Sequence, residues 1–175
     1  FQIVSSPDQK WHHEWKLKTK QQVRLPTDQL MGALNEHLEE RRKGNDLYKQ
    51  RKFKAALSQY ERALGIVELV VGMSGQDQKE VDRNRISTYL NIAAVHLAQK
   101  RPNEAKRFCD KAVDLDPENI KALLRRAKAL VMAHEYAMAR EDLSRVKDLE
   151  PWNAEAEEES RRVVTAEKRD REESR

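Results

Sequence analysis

The chain repeats itself. AKRFCDKAVDLDP ends at Pro117, and AREDLSRVKDLEP ends at Pro151, 34 positions later. At the same offset Ala105 matches Ala139, Ala112 matches Val146, Leu115 matches Leu149 and Ala93 matches Ala127. An earlier stretch, AALSQYERALGIV, sets Ala56, Tyr60 and Ala63 in the places of Ala105, Cys109 and Ala112. There the offset is 49, so about 15 residues are added between the first unit and the second. A period of this length dictates a stack: one unit cannot bury its apolar face alone, and the core has to be built between neighbours.

The composition is that of helices. In 175 residues, 38% are hydrophobic and 37% charged, which suits thin layers better than one deep core. Gly and Pro number only 5 each, and Ala, Leu, Glu, Lys, Arg and Gln are abundant, so an all-α fold is expected. Cys109 is the single cysteine and has no internal disulfide partner. With no signal-peptide pattern and no run of 18 apolar residues, the expected compartment is reducing and soluble, the cytoplasm first and the nucleus second. The net charge of +4 comes from interleaved acids and bases, which argues against a nucleic-acid partner. His12, His13, His37, His96 and His134 have no metal-ligand spacing. No nucleophile–base order and no phosphate-binding glycine loop can be read either, so no active site, metal or cofactor is expected in this stretch.

These units resemble the tetratricopeptide repeat, a helix-turn-helix of 34 residues with small residues at its helix crossings and a proline after its second helix. The resemblance implies a right-handed α-solenoid of three units, about 37–71, 86–119 and 120–151, within a repeat region 28–151. A capping helix follows over 152–175, and residues 1–27 form a linker. It also explains Gly44, which would cost about 1 kcal/mol in an ordinary helix interior. Gly44 takes the position of Ala93 and Ala127, where the first helix of each unit approaches the second.

The units depart from the pattern twice: Glu40 stands at a site usually apolar, and Glu68 replaces the first proline. The second departure predicts that helix 1B runs from Phe53 to about Val71, broken by GMSG. Helix 1A is expected over about Asp28 to Gln50, and 2A from about Asp77 to Lys100. Helix 2B has Pro102 in its first turn. Helices 3A and 3B are expected over about 118–134 and 136–149. In the last helix only Trp152, Ala156, Val163 and Val164 are apolar, so its end, AEKRDREESR, is expected to project into solvent or fray. Tyr48, Phe53 and Tyr60 are expected in the core of the first unit, and Cys109 as a buried, inert thiol.

The first helices of such units line the groove in which an extended peptide lies. Arg41 and Asn45 are four apart on one such helix, Lys121 and Arg125 four apart on another, and Asn91 sits on the helix between. Residue by residue, these five match the two-carboxylate clamp of tetratricopeptide domains that bind the tails of heat shock proteins, with Arg41 where lysine is usual. The resemblance implies binding of the Glu-Glu-Val-Asp tail of heat shock protein 90, with heat shock protein 70 as a second candidate; the alternative is a repeat scaffold with a non-chaperone partner, the clamp left idle. The terminal aspartate has two carboxylates on one carbon, and converging cations and amides can satisfy both with charge-assisted hydrogen bonds. The lengthened 1B–2A junction and long charged last helix, with FQIV as a closing strand, resemble the C-terminal half of an FKBP-type immunophilin. That would put a peptidyl-prolyl isomerase domain upstream, together with any client protein it recruits. The aryl-hydrocarbon-receptor-interacting family shares the layout.

Overall fold

The computed structural model describes residues 22–72 and 74–173. A short strand, β1 (Val23–Leu25), leads into α1 (Thr27–Lys49) and α2 (Phe53–Val67). A second strand, β2 (Val70–Gly72), precedes α3 (Gly75–Ala98) and α4 (Pro102–Leu115). Then come α5 (Ile120–Met132), α6 (Tyr136–Leu149) and α7 (Ala154–Glu173). Each of α1/α2, α3/α4 and α5/α6 is an antiparallel hairpin packed on the next, and α7 closes against α5 and α6.

The elements begin and end for local reasons. Ser74 caps α3: its hydroxyl accepts from the Asp77 amide, and the Asp77 carboxylate accepts from the Ser74 amide. Asn119 caps α5 by accepting from the Ala122 amide, and Pro102 occupies the first turn of α4, where no amide hydrogen is needed. The hairpin turns are tight enough to need one left-handed residue each, supplied without glycine by Arg51, Lys100 and His134 at φ of 59°, 57° and 60°.

A continuous core runs from Ala56 in α2 to Val163 in α7, with small residues where helices cross: Ala93, Ala127, Ala105 and Ala139 are fully buried. Gly44 is the extreme of this series. A Cβ there would stand 2.6 Å from Tyr60 Cε1, so the expected close approach of α1 and α2 is present in the structure. Tyr48 and Phe53 pack with ring centroids 5.7 Å apart. Cys109 is buried and its thiol is pushed up to about 12 by desolvation. Glu40, at the apolar position, is buried with one oxygen 2.7 Å from Lys43 Nζ and the other 3.5 Å from Arg62 Nε.

Two expectations are corrected. Helix 1B does not continue to Val71: α2 stops at Val67, and Val70–Gly72 pairs in parallel with Val23–Leu25 instead. The Arg85 side chain fixes this junction. Its guanidinium donates to the carbonyls of Val67 at 2.9 Å and Glu68 at 2.8 Å at the end of α2, and to that of Val70 in β2, taking up acceptors that would otherwise be orphaned. A separate apolar cluster of Leu30, Leu34, Val67, Val70 and Val81 packs beneath the strands. The pairing also brings the end of the expected linker onto the repeats; its residues 1–21 lie outside the described region, as does FQIV. The second correction concerns the last helix, which remains helical to Glu173 and docks with its charges. Glu167 accepts from Arg140, and Asp170 accepts from the Tyr136 hydroxyl and contacts His134. Of the four apolar residues, only Ala156 and Val163 are buried, whereas Trp152 is 96% exposed.

Candidate peptide-binding site

Of the five expected clamp positions, Asn45 and Asn91 meet at one oxygen, and Arg41 and Arg125 are charge neighbours of the Tyr60 that bonds it. The Tyr60 hydroxyl donates to Asn45 Oδ1 at 2.8 Å, and Asn91 Nδ2 donates to the same oxygen at 2.9 Å. With its oxygen held by two donors, the Asn45 amide turns its NH2 group away, and among the described residues that NH2 has no acceptor. Arg125 is half-buried and donates from Nη1 to the Leu90 carbonyl at 2.7 Å, which ties α5 to α3 and leaves the rest of its fork unused. Arg41 is half-buried with no hydrogen bond or ion pair among the described residues; burial lowers its pKa, opposed by Tyr60. Tyr60 is raised to about 12, chiefly by burial, while the positive charges of Arg125 and Arg41 oppose the shift. Both guanidinium groups are therefore electrostatic neighbours of one phenol.

Lys121 stands one turn before Arg125 on α5, exposed and without a hydrogen-bonding partner among the described residues. Lys121 and Arg125 line a cavity of about 560 Å³ together with Tyr48 of α1, Leu97 of α3, Leu124 of α5 and Glu155 of α7. Arg41, Asn45 and Asn91 are not part of that lining; Asn45 and Asn91 are bonded to each other, and Asn45 to Tyr60, whose electrostatic neighbours include both Arg41 and the cavity-lining Arg125. Lys121 also borders a second cleft, about 640 Å³, between α3 and the α4–α5 turn.

The neighbours of these cations are neutralised. Arg126 holds Asp142 with two bonds of 2.7 and 2.6 Å and Asp110 with one of 2.9 Å, and Lys128 lies 2.7 Å from Glu155. By contrast, Arg41, Lys121 and Arg125 face no carboxylate within ion-pair distance among the described residues. The sequence pattern named the five positions but missed Tyr60, which orients Asn45; its place in the repeat had marked it only as core. No group of three or more potential ligands able to hold a metal occurs among the described residues, and no described helix is long and apolar enough to cross a membrane.

With hairpins, small-residue crossings and cap in place, the chain is a tetratricopeptide-repeat domain, and the tetratricopeptide-repeat family model matches residues 96–157. More particularly, its repeat region is similar to that of FKBP-type proteins. It is 33% identical over 111 residues to the peptidyl-prolyl cis-trans isomerase FKBP4 of Mus musculus, covering 63% of this chain and 24% of that protein. The inactive peptidyl-prolyl cis-trans isomerase FKBP6 of Bos taurus is 30% identical over 149 residues, covering 85% and 44%. The chain thus spans about a quarter of the first relative and under half of the second. Among solved structures, the first repeat domain of Spaghetti (RPAP3), bound to the HSP90 peptide SRMEEVD, superposes with a TM-score of 0.62 at 27% identity, covering 75% of this chain and 93% of that one.

Proposed function

We propose that this domain is a protein-interaction module that binds the acidic Glu-Glu-Val-Asp tail of heat shock protein 90, with Arg41, Asn45, Asn91, Lys121 and Arg125 gripping the terminal residue. The observation that carries the reading is that Arg41, Lys121 and Arg125 have no carboxylate partner among the described residues, while the Asn45 amide, its oxygen held by Tyr60 and Asn91, has its donors free. An uncompensated half-buried guanidinium costs solvation, and a ligand carboxylate returns it as a charge-assisted bond worth roughly 1.5–3 kcal/mol. The bound tail in the Spaghetti structure has the chemistry this arrangement fits.

Calorimetric titration with the free-acid peptide SRMEEVD tests it. Arg125→Ala or Lys121→Glu should weaken binding by at least about tenfold with helicity unchanged, and amidating the peptide's C-terminus should do comparable damage. Equal binding of the amidated peptide overturns the reading. A matched heat shock protein 70 tail in the same titration assigns the preference between the two chaperones.

A second reading concerns the whole protein: this domain delivers a peptidyl-prolyl isomerase to chaperone-bound clients. The similarity to FKBP4 favours it, whereas the similarity to an inactive relative shows that the same kind of repeat region also accompanies a domain without activity. Isomerase assay of the full-length protein on a proline peptide decides between them.

A further inference from the structure

Lys121, Arg125 and Lys128 stand at i, i+4 and i+7 on α5, a spacing that puts three cations on one helix face. All three line the same cavity, yet only the first two are uncovered. Lys128 Nζ is 2.7 Å from Glu155 Oε1, and Glu155 itself lines the cavity from the first turn of α7. The protein thus sets one of its own carboxylates against the third cation of its groove.

Glu159 is the lesser partner. It is 3.6 Å from Lys128, is buried, and already accepts from Arg162 at 2.8 Å, whereas the Glu155 side chain is 51% exposed and has no other cation among the described residues. The cavity is also lined by the apolar side chains of Leu97, Ala98 and Leu124 and, just ahead of α7, by Asn153. While Glu155 holds Lys128, an acidic side chain of a peptide arriving there meets a neutralised pair and a carboxylate of its own sign; an uncharged side chain meets no such repulsion and has Leu97, Ala98 and Leu124 in the same cavity.

We infer that Glu155 is a specificity residue of the groove: by occupying Lys128 it rejects a further acidic side chain upstream of the tail's terminal residues and selects an uncharged one. The inference rests on the proposed tail-binding reading and extends it from the clamp to the α7 end of the groove. It also gives α7 a part in recognition beyond closing the stack.

The test is a coupling experiment by calorimetry. The probes are free-acid SRMEEVD and three variants in which Ser, Arg or Met is replaced in turn by Glu. Glu155→Gln should tighten at least one Glu-substituted peptide by about threefold to tenfold relative to SRMEEVD, compared with the wild-type chain. Adding Lys128→Met should erase that selective gain, and Glu158→Gln, whose carboxylate is on Arg162, should leave the order of the peptides unchanged. Thermal melts check that α7 stays docked; Asn153 caps it independently by accepting from the Ala156 amide at 2.8 Å. Failure of the wild-type chain to bind SRMEEVD overturns both readings. Wild-type binding lost in Arg125→Ala, together with no selective change in Glu155→Gln, overturns this inference alone.

Discussion

The two ends of the stack are closed by different physics. At the N-terminal end, β1 and β2 cover an apolar cluster, Arg85 occupies three backbone carbonyls, and His37 is fully buried. The His37 Nδ1 lies 2.9 Å from the Ala63 carbonyl and its Nε2 lies 3.2 Å from the Thr88 hydroxyl. At the C-terminal end, the apolar residues α7 buries are Ala156 and Val163, and it is held otherwise by exposed ion pairs and by hydrogen bonds: Lys147 to Glu157, Arg140 to Glu167, and the Tyr136 hydroxyl and His134 ring against Asp170. Buried polar groups with a single set of partners tolerate no loss, whereas exposed ion pairs contribute little each and are screened by salt. One end is closed by specific hydrogen bonds and the other by many weak charges.

The largest effect should come from removing the guanidinium. Arg85→Leu strands the carbonyls of Val67, Glu68 and Val70 and should cost about 3–5 kcal/mol in urea titration. Arg85→Lys should recover only part of this, because one ammonium cannot span three acceptors. A loss no larger than that of an exposed arginine, such as Arg42→Leu, would erase the distinction between the ends.

An intermediate effect is expected from pH. Burial holds the His37 imidazole below its ordinary range, so the unfolded chain binds a proton that the folded chain refuses. Stability should be complete above about pH 6.5 and fall as pH drops from there through the lowered folded value. Melting curves between about pH 8 and 5 should show this slope, and His37→Gln should flatten it.

The smallest effect belongs to α7. Glu167→Gln with Asp170→Asn should raise amide hydrogen exchange in the last turns of α7 and lower the melting temperature less than any Arg85 variant. High salt should remove most of the difference between this variant and the wild-type chain. Asp170 is held below the usual carboxylate range, first by the Tyr136 hydroxyl and then by His134, so this contact is present above the ordinary aspartate value and lost as pH falls through the lowered one. The acid limbs of the two ends should therefore separate, the His37 contribution starting to fall below about pH 6.5 and the Asp170 contribution only below the ordinary aspartate value.

The same division governs what the sequence reveals. Crossings of adjacent helices demand small residues at a fixed period, so Gly44, Ala93 and Ala127 disclosed the stack from spacing alone. The five positions expected to form a clamp, Arg41, Asn45, Asn91, Lys121 and Arg125, came from their match to the tetratricopeptide pattern; spacing alone gives only that Arg41 with Asn45, and Lys121 with Arg125, share a helix face. The strand at Val70–Gly72 was not, because IVELVVG is apolar enough to extend a helix and becomes a strand only by pairing with Val23–Leu25, far away in sequence. The docking of Glu167 and Asp170 was equally hidden: in a chain so rich in charge, no pattern shows which acid meets which base. Tyr60 was found as core and missed as the hydrogen-bond donor that orients Asn45, since its ring satisfies the repeat whatever its hydroxyl does.

The Arg85 junction reaches beyond the fold it secures. Because Val23, Arg24 and Leu25 run in register with Val70, Val71 and Gly72, and Arg85 grips the Val70 carbonyl, the heading of the polypeptide at its approach to the first helix is dictated by the second repeat. A substitution at Arg85 should therefore disturb the path by which Val23–Leu25 enters the first helix as well as the stability of the fold.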